Sequence, residues 1–127
     1  MTSELIVGPT TPSRQLLRVL RSQPDLLPST GLALPESVLW RCYCELRRRG
    51  EPGAEGHFLG SVKLLHRRRS IGGSDLPTDD TDPEEHKLVD DVMLGDLWRA
   101  YKRAICSLRI GPASQLLRDL EAQMTRN

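Results

Sequence analysis

The chain has 127 residues, of which 38% are hydrophobic and 28% charged, and its formal net charge is +1. A chain of this length fits one domain that buries roughly two-thirds of its unfolded surface. The balance of charges does not indicate a bulk attraction to nucleic acid or membrane. No run approaches the ~18 apolar residues of a membrane-spanning helix. Three cysteines cannot close a disulfide framework, so they indicate a reducing compartment.

Three helices are predicted in the first half of the chain, after a flexible N-terminal tail of residues 1–11. Apolar residues recur at helical spacing over residues 13–22, 35–49 and 57–69. Prolines stand at the starts of the first two segments, and a turn rich in glycine separates the second from the third. Residues 12–69 are therefore predicted to form a three-helix region.

The second half begins with an acidic stretch. Residues 75–91 hold eight acidic side chains and a single lysine. We therefore expect residues 70–81 to form an exposed acidic loop. A capping box at residues 82–85, Asp-Pro-Glu-Glu, then predicts a long helix that ends near Arg109. A last helix is predicted over residues 112–124.

The segment 35–49 is the most clearly specified helix. Its Leu-Trp-Arg-x-Tyr signature at residues 39–43 returns at residues 97–101, and the two copies hold four of the five aromatic residues. Gly50 is predicted to end the helix. The apolar positions on one helical face predict a core face that packs against the long helix; this face consists of Val38, Leu39, Cys42, Tyr43 and Leu46.

These elements together predict the fold class. Residues 82–127 should supply a long helix and a C-terminal helix that pack on the same core as the three-helix region. The sequence thus predicts an all-α protein, a small antiparallel helical bundle of four to five helices with one acidic loop.

The sequence contains no recognisable catalytic motif. It lacks a nucleophile elbow, a zinc-protease helix and a phosphate-binding glycine loop. On a helix, Cys42 and Cys44 would point about 200° apart, so they could not hold one metal ion. The histidines at positions 57, 66 and 86 match no ligand spacing. We therefore predict a protein that is not an enzyme and that has neither a metal site nor a cofactor.

Arginines cluster on the first helix and at the ends of the next two. Arg14, Arg18 and Arg21 recur at helical spacing, and arginine triplets stand at residues 47–49 and 67–69. They either compensate helix dipoles as solvated charges or dock an acidic partner surface through bidentate pairing. Nucleic acid is a less expected partner, because such proteins are usually more basic overall. With the serine that follows it, the second triplet also resembles the site of a basophilic kinase.

Residues 14–21, Arg-Gln-Leu-Leu-Arg-Val-Leu-Arg, are similar to the first helix of the small mitochondrial LYR-motif (complex I LYR-like) family. The family signature is Leu-Tyr-Arg followed by a stretch rich in leucine and arginine. Residues 45–48, Glu-Leu-Arg-Arg, resemble the aromatic and basic element of the family's second helix. Pro12 and Ser13 stand where the family has Leu and Tyr, and Leu46 replaces its usual Phe.

This resemblance implies a three-helix core that docks the acyl carrier protein of the mitochondrial matrix, with the acyl-pantetheine chain in a groove between helices. Arg14 takes the place of the signature arginine, and Arg18, Arg21, Arg47 and Arg48 become supporting contacts to the carrier's acidic surface. The implied role is an assembly factor, chaperone or accessory subunit for a respiratory complex in the mitochondrial matrix. The alternatives are a cytoplasmic or nuclear helical adaptor subunit and an accessory protein associated with the ribosome or another RNA.

Overall fold

The computed structural model describes residues 9–21, 35–72 and 91–126. These residues form helices and connecting turns, without a strand, which confirms the all-α prediction. The helices are α1 (Ser13–Arg21), α2 (Pro35–Arg48), α3 (Ala54–Gly72), α4 (Val92–Cys106) and α5 (Ile110–Thr125). Most of the predicted N-terminal tail, most of the predicted acidic loop and the capping box at residues 82–85 lie outside the described residues.

Helix α2 is the centre of the bundle. The predicted core face is buried, apart from Val38, which is half-buried. Trp40 and Cys44 lie off that face and are nevertheless buried as well. A helix that is apolar on most of its faces needs neighbours on most of its sides. Helices α1, α3 and α4 supply them, and α2 therefore exposes little beyond the faces of Arg41 and Arg48.

The two copies of Leu-Trp-Arg-x-Tyr pack against each other, which confirms the predicted contact between α2 and the later helix. The rings of Trp40 and Trp98 stack with centroids 5.1 Å apart and an interplanar angle of 11°. Tyr43, Phe58 and Tyr101 complete a continuous aromatic cluster. Each such pair contributes about 0.5–1.5 kcal/mol beyond the area that it buries. The cluster joins α2, α3 and α4.

The turn between α2 and α3 ends α2 as predicted. Gly50 has a φ of 75°, and its N–H donates to the carbonyl of Arg47 at 3.0 Å. The N–H of Glu51 donates to the carbonyl of Leu46, also at 3.0 Å. This pair of bonds is a Schellman motif, in which glycine avoids the strain of the left-handed conformation.

Helix α3 is longer than expected at both ends. It begins at Ala54 and continues to Gly72. The prediction that residues 70–81 form a loop is therefore wrong for residues 70–72, which complete the last turn of the helix. Low apolar content does not prevent a helix from continuing for one turn when its earlier residues are packed.

The helix predicted from residue 82 to Arg109 is not continuous through Asp91 and ends before Arg109, while its predicted start lies outside the described residues. Asp91 has extended backbone (φ −89°, ψ 102°), and its Oδ1 accepts from the N–H of Leu94 at 3.1 Å. Asp91 is therefore an N-cap, and α4 begins after it. The helix ends at Cys106, because Leu108 adopts a left-handed φ of 58°.

Helices α4 and α5 form an antiparallel hairpin. The break between them falls at residues 107–109, whereas the sequence predicted it between Arg109 and Pro112, so Gly111 and Pro112 belong to α5. Both of those residues lie in the first turn of α5, where a proline loses no helical hydrogen bond. The far ends of the hairpin meet through Gln123, whose Nε2 donates to Asp91 Oδ2 at 3.0 Å.

Candidate functional site

The exposed side of α1 carries three of the five arginines predicted to bind a partner. Leu16 and Leu20 are 0% exposed because they pack into the core beside α2 and α3. Arg14, Arg18 and Arg21 consequently fall on the opposite, exposed side of the helix. We call these three residues the α1 arginine face. They span about 10 Å along the helix axis, given a rise of 1.5 Å per residue.

Both ends of α1 are attached to the corner between α2 and α3. Arg49 donates from Nη1 to Ser13 Oγ at 2.9 Å and from Nη2 to the carbonyl of Pro9 at 2.8 Å. At the other end, Arg21 Nη2 lies 3.2 Å from His57 Nε2. Arg49, which the sequence suggested to be a helix-end charge, therefore positions the helix that carries the α1 arginine face.

Arg47 and Arg48 have partners within α2 itself. Arg47 is half-buried, and its Nη1 donates to the hydroxyl of Tyr43 at 3.3 Å. Burial raises the pKa of Tyr43 to about 12, an effect that the Arg47 guanidinium opposes. Arg48 is exposed and contacts both carboxylate oxygens of Glu45, at 2.6 and 2.8 Å. Arg47 and Arg48 therefore differ from Arg14 and Arg18, because each already has a hydrogen-bonding partner on α2.

The α1 arginine face is suited to an anionic partner surface. Among the residues that the structure describes, none forms a hydrogen bond or ion pair with Arg14 or Arg18. An incoming carboxylate could therefore take both guanidinium forks without displacing an existing partner. Such contacts are screened beyond a Debye length of about 8 Å at physiological salt, so they require close docking.

A second group of polar residues lies inside the bundle, and the sequence did not reveal it. We call it the buried polar cluster. It consists of Glu36, Ser37, His66, Arg69, Tyr101 and Lys102. Glu36 is 0% exposed and accepts two bonds from Arg69, from Nη2 at 3.1 Å and from Nε at 3.2 Å. This fork joins the start of α2 to the end of α3.

Three further contacts tie α4 and α5 to the same end of the bundle. Lys102 is fully buried, and its Nζ lies 3.5 Å from Ser37 Oγ. The ring of His66 contacts the hydroxyl of Tyr101 through Nδ1 at 3.3 Å and the hydroxyl of Ser114 through Nε2 at 2.8 Å. Each contact spans two helices, so the cluster sets how the helices align.

The surroundings of this cluster favour neutral forms of its histidine and tyrosine. Burial lowers the pKa of His66, and the carboxylate of Glu36 opposes that shift. Burial raises the pKa of Tyr101, and Glu36 adds to the shift. A neutral imidazole can accept one hydrogen bond and donate another, which matches its two hydroxyl partners. We interpret the cluster as structural.

The helical spacing of the sequence does place two charged residues of the buried polar cluster on apolar faces. Lys102 follows Trp98 by four residues and precedes Ile105 by three, so it shares their buried face. Glu36 precedes Trp40 by four residues and Tyr43 by seven, so it also shares a buried face. A charged residue in register with an apolar face is a candidate for a buried ion pair, although its partner on another helix cannot be deduced from that register.

The cysteines do not form a metal site in the described part of the chain. Cys42 and Cys44 are both buried in α2, and burial raises the pKa of the Cys42 thiol to about 12. Within residues 9–21, 35–72 and 91–126, no group of three or more potential ligands is close enough to hold a metal ion.

One shallow apolar groove lies at the start of α4. It measures about 470 Å³ and is lined by Val92, Met93, Asp96 and Leu97. Val92 and Met93 are 70% and 58% exposed. The groove involves neither the α1 arginine face nor the buried polar cluster.

The fold and these sites define the class of the protein as a small all-α helical bundle with a basic surface helix. No protein-family model, curated protein or solved structure matches the chain. Within the described residues, no helix has the length and apolar character needed to cross a bilayer.

Proposed function

We propose that this chain is a non-catalytic helical interaction protein that docks an acidic partner protein through the α1 arginine face. The supporting observation is the division of α1 into two sides. Leu16 and Leu20 are fully buried, while Arg14, Arg18 and Arg21 are exposed. The fold holds this helix in place through its leucines, through Arg49 and through the contact of Arg21 with His57, and Arg14 and Arg18 are left available to a partner.

The partner class that we favour is an acyl carrier protein, whose acidic surface suits three aligned guanidinium groups. This choice rests on the similarity to the LYR-motif family, in which Arg14 takes the place of the signature arginine. The corresponding role is an assembly factor or accessory subunit for a respiratory complex in the mitochondrial matrix. Arg47 and Arg48 would contribute at the edge of the contact, because both already have partners on α2.

The proposal makes a specific demand on the core. An acyl chain that enters between the first three helices must displace Leu16 or Leu20, since both are fully buried. We therefore expect two contributions to the free energy of carrier binding. One comes from contacts between the arginines and the carrier surface, and the other from insertion of the acyl chain, which requires α1 to move.

The test is a binding titration by isothermal calorimetry with purified acyl carrier protein, in its acyl-pantetheine form and in its form without the acyl chain. We expect the double variant Arg14→Ala, Arg18→Ala to bind about tenfold to a hundredfold more weakly than the wild type, as expected for the loss of charge-assisted contacts. Affinity should also fall with added salt.

The matched control is Arg118→Ala, which removes an exposed arginine from α5. It should bind as the wild type does. Docking through the α1 arginine face is refuted if the double variant and the control bind equally well. The choice of carrier is refuted if neither carrier form binds. Retention of RNA at low salt, without carrier binding, would favour the RNA-associated alternative.

A further inference from the structure

The last turn of α3 presents an exposed serine behind a run of arginines. Residues 67–71 read Arg-Arg-Arg-Ser-Ile, and α3 ends at Gly72. Ser70 is the only serine or threonine in the chain that has arginines at both the third and the second position before it. Protein kinases select substrates by such charge patterns, because guanidinium groups pair with carboxylates of the enzyme.

The geometry leaves this serine accessible. Ser70 and Arg67 are both exposed, and Ile71 is 82% exposed. The hydroxyl of Ser70 donates to the carbonyl of His66 at 3.0 Å, a bond within the last two turns of the helix. Neither Ser70 nor Ile71 contributes to the core. The exposed side chain of Ile71, directly after the serine, is also available to the substrate-binding groove of a kinase.

The arginines of this turn have different roles in the fold. Arg69 is held by the buried carboxylate of Glu36, so it anchors the helix immediately before Ser70. Arg67 points to solvent. Helix ends open locally at low cost. The residues beyond Arg69 can therefore leave the helix and enter an enzyme while the anchor keeps the bundle closed.

We propose that Ser70 is a phosphorylation site for an arginine-directed protein kinase that uses ATP. In the transfer, Ser70 Oγ forms a bond to the γ-phosphorus of ATP. The bond from that phosphorus to the β,γ-bridging oxygen breaks, ADP leaves, and the hydroxyl proton passes to the catalytic aspartate of the kinase. This inference is independent of the proposed carrier docking, since it concerns α3 and not the α1 arginine face.

The phosphate changes the end of α3 in two ways. It adds about −1.5 to −2 charges to the last turn of the helix, beyond the anchor at Arg69. It also removes the hydroxyl proton that Ser70 donates to His66. A negative charge at a helix C-terminus opposes the helix dipole. We therefore expect the turn after Arg69 to open while the core stays intact.

The test incubates the folded full chain with an arginine-directed kinase and MgATP, followed by intact mass measurement and mapping of the modified fragment. We expect one phosphate, located on Ser70, and none on that fragment in Ser70→Ala. Arg67→Ala should lower the initial rate by about tenfold or more, as expected for the loss of a charge-assisted contact. Arg103→Ala removes an exposed arginine from α4 and should leave the rate unchanged.

Two controls make the result decisive. A peptide of residues 64–72 shows that the kinase is active, and circular dichroism shows that each variant is folded. The proposal is overturned if the peptide is phosphorylated and the folded chain is not, or if Ser70→Ala accepts as much phosphate as the wild type. If a variant fails to fold, the position of the phosphate in the wild-type chain is the deciding result. Phosphate on Ser70 supports the site, and phosphate elsewhere overturns it.

Discussion

The fork between Glu36 and Arg69 is predicted to be the most sensitive polar contact in the bundle. Glu36 is 0% exposed and Arg69 is 15% exposed, and the guanidinium gives the carboxylate two bonds at 3.1 and 3.2 Å. Arg69→Ala would leave a carboxylate in the interior without its principal cation. Breaking a buried pair in this way costs about 3–5 kcal/mol. We expect the low end of that range, because a water molecule can enter where the arginine was.

The measurement is urea unfolding followed by circular dichroism, with the free energy of unfolding compared between variants. Arg67→Ala is the matched control, since it removes an exposed arginine from the same helix and should change stability by less than about 0.5 kcal/mol. In the double variant Glu36→Leu, Arg69→Met, an apolar pair replaces the ions, so most of the lost stability should return. The reasoning is refuted if Arg69→Ala is no more destabilising than Arg67→Ala.

Three further predictions concern the backbone and the titration of single residues. Gly50→Ala should destabilise the protein by about 1 kcal/mol, because Gly50 has a φ of 75°. Gly60→Ala should stabilise it by a similar amount, because Gly60 lies within α3 and nothing would contact the added methyl group. Thermal unfolding would contradict this reasoning if both substitutions shifted the melting temperature in the same direction. Asp91→Ala removes the N-cap of α4 and should cost about 1 kcal/mol in urea unfolding, while Asp91→Asn should retain most of that stability. Burial lowers the pKa of His66 from 6.5. As the pH falls, the unfolded chain therefore binds a proton on this histidine at a higher pH than the folded chain does. The free energy of unfolding should consequently fall as the pH drops from 6.5 towards the lower pKa of the folded state. His66→Gln should remove this part of the pH dependence, and an unchanged profile would show that other groups cause it.

Local sequence determined the elements that depend on near neighbours. Helical spacing of apolar residues is a property of the chain itself, so α1, α2 and α5 lie close to their predicted positions. Gly50 ends α2 because a left-handed residue is needed there and glycine adopts that conformation without strain. The repeated Leu-Trp-Arg-x-Tyr signature correctly indicated which two helices share an aromatic contact.

Helix ends proved harder to predict than helices. The sequence predicted a helix start at the capping box of residues 82–85, which lie outside the described residues, and did not indicate the cap at Asp91. In the structure, the cap at Asp91 is supported by Gln123 from α5, a partner 32 residues away. Similarly, α4 ends through a left-handed Leu108, a conformation that no local propensity favours for leucine.

What the sequence determined by itself was the helical class, the central helix and the arginines that a helix must place together on α1. Only the tertiary structure decided which charges are buried and which remain available. Glu36 is buried because Arg69 reaches it from another helix, and Arg49 is engaged because Ser13 and Pro9 are brought beside it, while Arg14 and Arg18 stay exposed. The physical reason is that the cost of burying a charge depends on partners brought by other helices, which short-range periodicity does not contain.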